Sequence, residues 1–266
     1  MSSIEAIILG LVQGLTEFIP ISSSGHLVIG QSVFGTGSDH LFLEFINIGT
    51  LLALVVYFRQ RIVKIADEIF VDKNTSLLIN ILLTSIPAGV VGWFLSDMIA
   101  SSWFFASLMT VAVSLIVVGF IMVILEKLPK ASSVKDGSSM SKLRAFAIGI
   151  AQMFALIPGV SRSGSTIIAG RLAGLSSVEA AEYSFLASLP IMTAVALKNF
   201  VKYSDRAYFL DHMQVLIIGN ITAFIAGILA IGFLMTYLKK HGLSLFGWYR
   251  IAVGISLVAF ICYNSY

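Results

Sequence analysis

The sequence predicts an all-α polytopic membrane protein with six transmembrane helices and two re-entrant helix–turn–helix hairpins, arranged as an inverted-topology repeat. Three observations support this prediction. Hydrophobic residues make up 58% of the 266 residues and charged residues only 12%, about half the charged fraction of a typical soluble domain. Long apolar stretches recur along the chain, and two shorter ones each stop at a proline. The two halves also share identical residues at a constant offset.

The six predicted spans are apolar stretches that approach the roughly 20 helical residues needed to cross a bilayer core. They cover residues 41–58, 77–95, 104–125, 182–200, 215–238 and 251–263.

Two further apolar regions do not fit a crossing helix, because they stop at Pro20 and at Pro158. After each proline comes a Ser/Gly turn and a run of about ten apolar residues, which as a helix covers about 15 Å, half of the membrane core. We therefore expect hairpins over about 4–34 and 143–174. Non-helical backbone at this depth is tolerated only inside protein or beside a wet cavity, so both turns are candidate functional sites.

The hairpins belong to an internal repeat with an offset of 139 residues. Five identical pairs are in register: Gly10 and Gly149, Gln13 and Gln152, Ser22 and Ser161, Ser24 and Ser163, Gly25 and Gly164. We expect a first repeat over 1–126, a polar cytoplasmic linker over 127–142 and a second repeat over 143–266, each repeat with one hairpin and three spans. An odd number of crossings inverts the second repeat, so the hairpins meet from opposite faces, as in many transporters.

Loop charges set the predicted orientation. The loops at 59–76, 126–142 and 239–244 hold ten Lys and Arg residues, against three on the other side. The positive-inside rule places the first side in the cytoplasm, so both termini face outward.

The net charge of +3 is not concentrated in a dense basic patch, so the sequence gives no reason to expect nucleic-acid binding. Cys262 stands alone, which excludes a disulfide framework within the chain.

The turns, "EFIPISSSGH" and "LIPGVSRSGS", carry charged side chains. Gln13 and Glu17 are four residues apart and share a helix face, and a carboxylate at membrane depth is a functional hypothesis by default. Arg162 can grip phosphate oxygens bidentately, and the start of the following half-helix also favours an anion. The pattern indicates a receptor for a phosphate-like group. A structural salt bridge between Glu17 and Arg162 is the alternative.

Hydroxyl and imidazole groups could complete a phosphoryl-transfer site. The hydroxyl of Ser23 or the imidazole of His26 could attack phosphorus if a base activates it and Arg162 stabilises the charge. The spacing leaves both nucleophiles open, and serines before a half-helix are also ordinary N-caps. Glu17, with Gln13, could hold a divalent cation whose other ligands are water and phosphate, as Mg²⁺ prefers.

"QGLTEFIPISSSGH" at 13–26, together with "PGVSRSGST" at 158–166, resembles the two signature motifs of the BacA-type undecaprenyl pyrophosphate phosphatases, or bacitracin-resistance proteins. The resemblance extends along the whole chain, including "FLEFINIGTLLALVVYFRQR" at 42–61. It implies an integral phosphatase of the bacterial cytoplasmic membrane that removes the terminal phosphate of undecaprenyl diphosphate, the recycled lipid carrier for cell-wall polymers. It also implies a site open to the outer face, a Mg²⁺ or Ca²⁺ requirement, and competition by bacitracin, which binds the substrate. Glycine-rich spans leave a homodimer open.

The family motifs assign roles residue by residue. The predicted catalytic residues are Glu17, Ser23, His26 and Arg162. The predicted substrate-binding residues are Gln13, Ser22, Ser24, Ser161, Ser163 and Thr166. The sequence departs from the family pattern at Gln13, where many members have Glu, at Ser24, where Thr is common, and at Asn47, where Gln is frequent. The departure at Gln13 puts a second carboxylate for the metal in doubt.

A transporter or flippase for an anionic or lipid-phosphate substrate is the competing function, because inverted repeats with broken helices are typical of transporters. Transport needs only binding groups, whereas an imidazole and adjacent hydroxyls beside Arg162 favour bond breaking. A purely structural scaffold leaves the buried charges unexplained.

Overall fold

The structure is a computed structural model that describes residues 1–34, 39–95, 98–99, 102–128, 133–201 and 203–264. Within these ranges the regular secondary structure is helical and no strand is present. The helices are α1 Ser3–Phe18, α2 Ser23–Phe34, α3 His40–Tyr57, α4 Arg59–Phe70, α5 Ser76–Phe94, α6 Trp103–Ala106, α7 Leu108–Leu125, α8 Lys142–Met153, α9 Arg162–Leu172, α10 Ser177–Val201, α11 Tyr203–Asp211, α12 Met213–Leu238 and α13 Ser244–Asn264, with a short 3-10 turn at Phe154–Leu156. Residues 129–132 of the predicted linker and 35–38 of the predicted first repeat lie outside the described ranges.

Among the described residues, five helices are long and apolar enough to cross a membrane: α5, α7, α10, α12 and α13. A sixth crossing results if α3 and α4, which meet at a bend of 69°, count as one span. The prediction of an all-helical, multi-pass membrane protein is therefore confirmed. The last span begins at Ser244 rather than at residue 251, because the helix also includes the mixed apolar and polar residues 244–250, with Arg250 among them.

The segment 59–76, predicted as a cytoplasmic loop, is helical over most of its length as α4. It was misjudged because its charges dominate the composition, whereas its apolar residues recur with helical spacing. Ile62 and Ile65 pack against the core, and Arg61 donates to Glu182 at 3.0 Å and to Glu68 at 3.4 Å.

Close backbone contacts at glycine hold the shorter helices against the long ones. α1 packs on α12, where a Cβ at Gly14 would lie 2.5 Å from the carbonyl oxygen of Ala223. α8 packs on α5, where a Cβ at Gly149 would lie 2.8 Å from the carbonyl oxygen of Thr84. Small residues at such crossings are typical of membrane helix pairs. Each hairpin of one half is thereby anchored on a span of the other half.

The part of the linker that the structure describes folds back onto the helices. Asn80 donates to the carbonyl oxygens of Gly137, at 2.9 Å, and Met140, at 2.8 Å. Asp136 accepts hydrogen bonds from Ser138 and Ser139. Burial tends to raise the pKa of Asp136, but these hydrogen bonds outweigh it, and the pKa lies below its ordinary value.

Candidate active site

The two turns have the same local geometry. Ser22 and Ser161 both adopt a left-handed backbone conformation, with φ of 78° and 77°, which is uncommon for a residue with a Cβ. Each serine hydroxyl accepts a hydrogen bond from the backbone N–H three residues on, at 3.3 Å and 3.1 Å. Each also pairs with the serine two positions on, Ser24 at 3.2 Å and Ser163 at 3.1 Å. Ser22 and Ser161 thus cap α2 and α9, the ordinary role of serine at this position.

A network centred on Glu17 joins the turns. Glu17 lies in the last turn of α1, while Ser23 and Arg162 are the first residues of α2 and α9. Arg162 Nη2 donates to Glu17 Oε1 at 2.7 Å, and Ser23 Oγ donates to Oε2 at 2.6 Å. Gln13 Nε2 lies 3.3 Å from the same Oε2. The structure therefore brings together three of the predicted catalytic residues, from both halves of the chain.

The hydroxyl of Ser163, the residue after Arg162, also connects the two turns. Ser163 Oγ donates to the backbone carbonyl of Glu17 at 3.1 Å, which fixes the end of α1 against the start of α9. Thr166 is fully buried, and its hydroxyl contacts Ser184 at 2.5 Å and the carbonyl oxygen of Arg162 at 2.8 Å. In this structure the Thr166 hydroxyl therefore supports the backbone of Arg162. Ser24 is exposed.

One buried nitrogen of Arg162 has no hydrogen-bond partner among the described residues. The side chains of Glu17 and Arg162 are 13% and 18% exposed, so their ion pair is largely shielded from solvent. Arg162 Nη2 serves Glu17, but Nη1 is buried and has no hydrogen-bond partner among the described residues. A buried donor without an acceptor costs about 1–3 kcal/mol, and more when it is charged. A purely structural salt bridge does not explain this unpaired charged donor, whereas a phosphate-like oxygen beside Arg162 would give it an acceptor and leave the ion pair with Glu17 intact.

His26 lies outside this network. Its Nδ1 is 2.8 Å from the carbonyl oxygen of Ser22, and its Nε2 is 2.9 Å from the hydroxyl of Tyr249. The two rings stack with centroids 5.7 Å apart. Among the described residues, no hydrogen bond joins His26 to Glu17, Ser23 or Arg162. Of the two candidate nucleophiles, only Ser23 contacts a carboxylate.

The groups around Glu17 are poorly suited to a resident metal ion. Arg162, Ser23 and Gln13 all present hydrogen-bond donors to its carboxylate, whereas a cation needs oxygen ligands. Gln13 Nε2 also donates to Asn47 Oδ1 at 2.6 Å, so a neutral amide pair stands beside the carboxylate. No group of three or more His, Cys, Asp or Glu side chains in the described part of the chain could hold a metal ion. These residues fit a divalent cation only if a phosphate ligand supplies most of its oxygens.

The sequence analysis missed Arg250, which lies between the two turns. It is fully buried; Nη1 donates to the carbonyl oxygen of Pro20 at 3.1 Å, and Nη2 donates to those of Gly159 at 2.5 Å and Val160 at 3.1 Å. One guanidinium thus links both turns. An arginine inside an apolar helix was the available signal, but the last span was predicted to start one residue later.

Comparison with known proteins agrees with the motifs. Residues 6–256 match the model of the family described as bacitracin resistance protein BacA. A relative from Flavobacterium johnsoniae is 37% identical and aligns over 97% of this chain and 96% of its own length. One from Aquifex aeolicus is 35% identical over 99% and 100%, and one from Clostridioides difficile is 38% identical over 96% and 95%. The first two are named undecaprenyl-diphosphatase and the third undecaprenyl-diphosphatase 1.

Proposed function

The chain belongs to the bacitracin resistance protein BacA family, and we propose that it is an integral membrane phosphatase that hydrolyses undecaprenyl diphosphate to undecaprenyl phosphate and inorganic phosphate. This reaction recycles the lipid carrier for cell-wall polymers. One observation carries the assignment: the unpartnered Nη1 of Arg162 belongs to a guanidinium that pairs with the same carboxylate that accepts the Ser23 hydroxyl. Such a site can hold an anion beside an activated nucleophile.

The contacts favour Ser23 as the nucleophile. Ser23 Oγ attacks the terminal phosphorus while Glu17 Oε2, at 2.6 Å, takes its proton. The bond from phosphorus to the bridging oxygen breaks, and undecaprenyl phosphate leaves with the electron pair. Arg162 donates to the equatorial oxygens as their charge grows. Water then attacks the phosphorus of the phosphoserine and the bond between phosphorus and Ser23 Oγ breaks. Glu17 returns its proton to Ser23 Oγ, and the protons of the water leave with the inorganic phosphate.

In this proposal the substrate-bound site would also hold a divalent cation, Mg²⁺ or Ca²⁺. Mg²⁺ keeps several waters and binds through one or two carboxylates plus substrate phosphates. Glu17, with the amide oxygen of Gln13, would supply the protein ligands, and the cation would neutralise part of the phosphate charge. Chelation before assay should then lower turnover, and added cation should restore it.

In the membrane, the hairpins α1–α2 and α8–α9 enter from opposite faces, and the chain divides into repeats over 1–126 and 143–266 joined by a linker over 127–142. Two features support this arrangement: the matching geometry of the turns at Ser22 and Ser161 and the reciprocal packing of α1 on α12 and α8 on α5. The loop charges favour both termini at the outer face of the bacterial cytoplasmic membrane, and the family resemblance implies that the site opens to the same face. Bacitracin would compete by binding the substrate lipid, and a homodimer is compatible with the glycine-rich spans.

A phosphate-release assay tests the function. Protein purified in detergent is given a polyprenyl diphosphate, with and without chelator, and wild type is compared with Glu17→Ala, Ser23→Ala, His26→Ala and Arg162→Ala. We expect the Glu17, Ser23 and Arg162 variants to lose turnover, and labelled phosphate to be trapped on Ser23 of wild type by acid quenching. Full turnover in Ser23→Ala, with loss in His26→Ala and label on the imidazole, would assign the nucleophile to His26. Full turnover in Glu17→Ala and Arg162→Ala would reject the site.

A transporter or flippase for a lipid phosphate or another anion remains the second candidate, because the reciprocal packing of the halves resembles alternating-access architectures. Uptake of an anion into proteoliposomes without phosphate release would favour it.

A further inference from the structure

We propose that Asn47 is a positioning residue that holds the amide nitrogen of Gln13 back from the Glu17 carboxylate. The carboxylate oxygen concerned, Oε2, thereby keeps its shortest hydrogen bond for the hydroxyl of Ser23, the proposed nucleophile. The inference rests on the proposed phosphatase function, and it gives a role to a residue of α3 that lies outside both signature motifs.

Glu17 Oε2 accepts from two donors at different distances. Ser23 Oγ lies at 2.6 Å, a short distance that is typical of a hydroxyl bonded to a charged oxygen. Gln13 Nε2 lies at 3.3 Å, just beyond the usual range for an N–H donor. Hydrogen bonds to a charged acceptor are normally shorter than those between neutral groups. A group other than Glu17 therefore sets the position of the Gln13 nitrogen.

The competing acceptors belong to α3. Asn47 Oδ1 accepts from the same Gln13 nitrogen at 2.6 Å, a shorter distance than the one to Glu17. Thr50 Oγ1 lies 3.5 Å from that nitrogen. The Thr50 hydroxyl donates its own proton to the backbone carbonyl of Asn47 at 2.8 Å, so it offers Gln13 only lone pairs. By these distances, Asn47 is the main partner of the amide nitrogen.

Asn47 is fixed in the orientation that this contact needs. Its Nδ2 donates to the carbonyl oxygen of Leu43 at 2.9 Å, one turn back in the same helix. A carbonyl can only accept, so Asn47 must present its nitrogen to Leu43 and its oxygen to Gln13. Leucine in place of Asn47 would have a similar size but no acceptor, and the Gln13 amide would then be free to move towards Glu17.

This distance matters because Oε2 takes the proton of Ser23 in the proposed reaction. If the Gln13 amide moves to a charge-assisted distance of about 2.9 Å, a second strong donor competes with Ser23 for the same oxygen. The hydrogen bond from Ser23 then weakens, and proton transfer to Glu17 becomes slower. Among the described residues, no hydrogen bond joins Arg162 to Asn47 or Gln13, so substrate binding should change little.

Asn220 provides a matched control. It is also an asparagine within a span, and its Nδ2 donates to the carbonyl oxygen one turn back, that of Leu216, at 2.8 Å. Its Oδ1 accepts from the backbone N–H of Gly49 in α3 at 2.6 Å. Asn220→Leu therefore loosens the packing of α3 without removing an acceptor from Gln13, whereas Asn47→Leu removes that acceptor.

Two readouts on the purified full-length protein test the proposal. The ¹H–¹⁵N spectrum of protein labelled at glutamine side chains reports the hydrogen bonding of the Gln13 amide, with Gln13→Met identifying its signal. We expect this signal to move in Asn47→Leu and to stay close to its wild-type position in Asn220→Leu. In a single turnover, we expect labelled phosphate to appear on Ser23 about two- to tenfold more slowly in Asn47→Leu, the effect of one neutral hydrogen bond. The steady-state KM should stay within about twofold of wild type.

Several results would overturn it. An unchanged Gln13 signal in Asn47→Leu contradicts the contact between the two amides, and an unchanged or faster appearance of label contradicts the effect on Ser23. Equal effects in Asn220→Leu would assign the change to the packing of α3. Label on another residue in wild type would reject Ser23 as the nucleophile and the inference with it. Absence of phosphate release from wild type would instead reject the phosphatase function, and the spectra would still decide whether Asn47 positions Gln13.

Discussion

Replacing Arg250 by lysine would keep the buried positive charge and remove the fork that joins the two turns. Two nitrogens of the guanidinium donate to three carbonyl oxygens. One belongs to Pro20 in the first turn, at 3.1 Å, and two belong to Gly159 and Val160 in the second turn, at 2.5 and 3.1 Å. A lysine ammonium is a compact point charge on a flexible stem, and we expect it to satisfy the carbonyls of one turn only. The other turn then loses hydrogen bonds to a charged donor.

The expected loss of turnover can be worked out from these hydrogen bonds. A hydrogen bond to a charged group contributes about 1.5–3 kcal/mol, and about 1.4 kcal/mol corresponds to a tenfold change in rate. If losing one such hydrogen bond misaligns Glu17 and Arg162 and raises the barrier to reaction by the same free energy, turnover falls by about 10- to 100-fold. Arg250→Met should be worse for stability, because it leaves carbonyls of both turns unpaired.

The assay is phosphate release from a polyprenyl diphosphate, paired with thermal unfolding followed by size-exclusion chromatography. Arg59→Lys is the control, since Arg59 is exposed and donates to a single carbonyl oxygen, that of Val56, at 3.0 Å. Wild-type turnover and melting temperature in Arg250→Lys would refute the reasoning, because they would show that charge alone suffices at this position.

Three further predictions concern the site, the packing and the linker. Arg162→Lys should lower kcat/KM about 10- to 1000-fold in the phosphate-release assay. The reason is that a compact ammonium group cannot bind both Glu17 and the substrate as the guanidinium can. An unchanged kcat/KM would contradict this. Gly14→Val should lower the melting temperature, because its Cβ would lie 2.5 Å from a backbone oxygen of α12, whereas Gly89→Ala, whose Cβ meets nothing within 4 Å, should not. The hydrogen bonds that lower the pKa of Asp136 stabilise the linker above the ordinary pKa of 3.8, and this contribution is lost as the pH falls through the lower folded value. Hydrogen exchange at Ser139, corrected for the chemical rate, should show that loss in wild type and no pH dependence in Asp136→Asn.

Properties that depend on neighbouring residues could be read from the sequence. The apolar runs identify the spans because a helix in lipid satisfies its backbone hydrogen bonds within the segment. The repeated serines identify both turns, since capping by Ser22 and Ser161 involves only the next three residues. The meeting of Glu17 and Arg162 was expected from the repeat, although no local pattern specifies its distances. The sequence analysis missed α4 because it relied on the number of charges in this segment and not on the helical spacing of its apolar residues.

The rest was decided by the tertiary structure. Arg250 reaches Pro20 across 230 positions, and Tyr249 reaches His26 across 223. These contacts depend on where α13 packs, and packing between apolar helices is non-directional and leaves little trace in residue order. The sequence by itself therefore determined the membrane class, most of the spans and the residue types in the two turns. Only the three-dimensional structure showed that Ser23 and not His26 contacts the carboxylate, and tertiary packing decided that a buried arginine from the last helix joins the two turns.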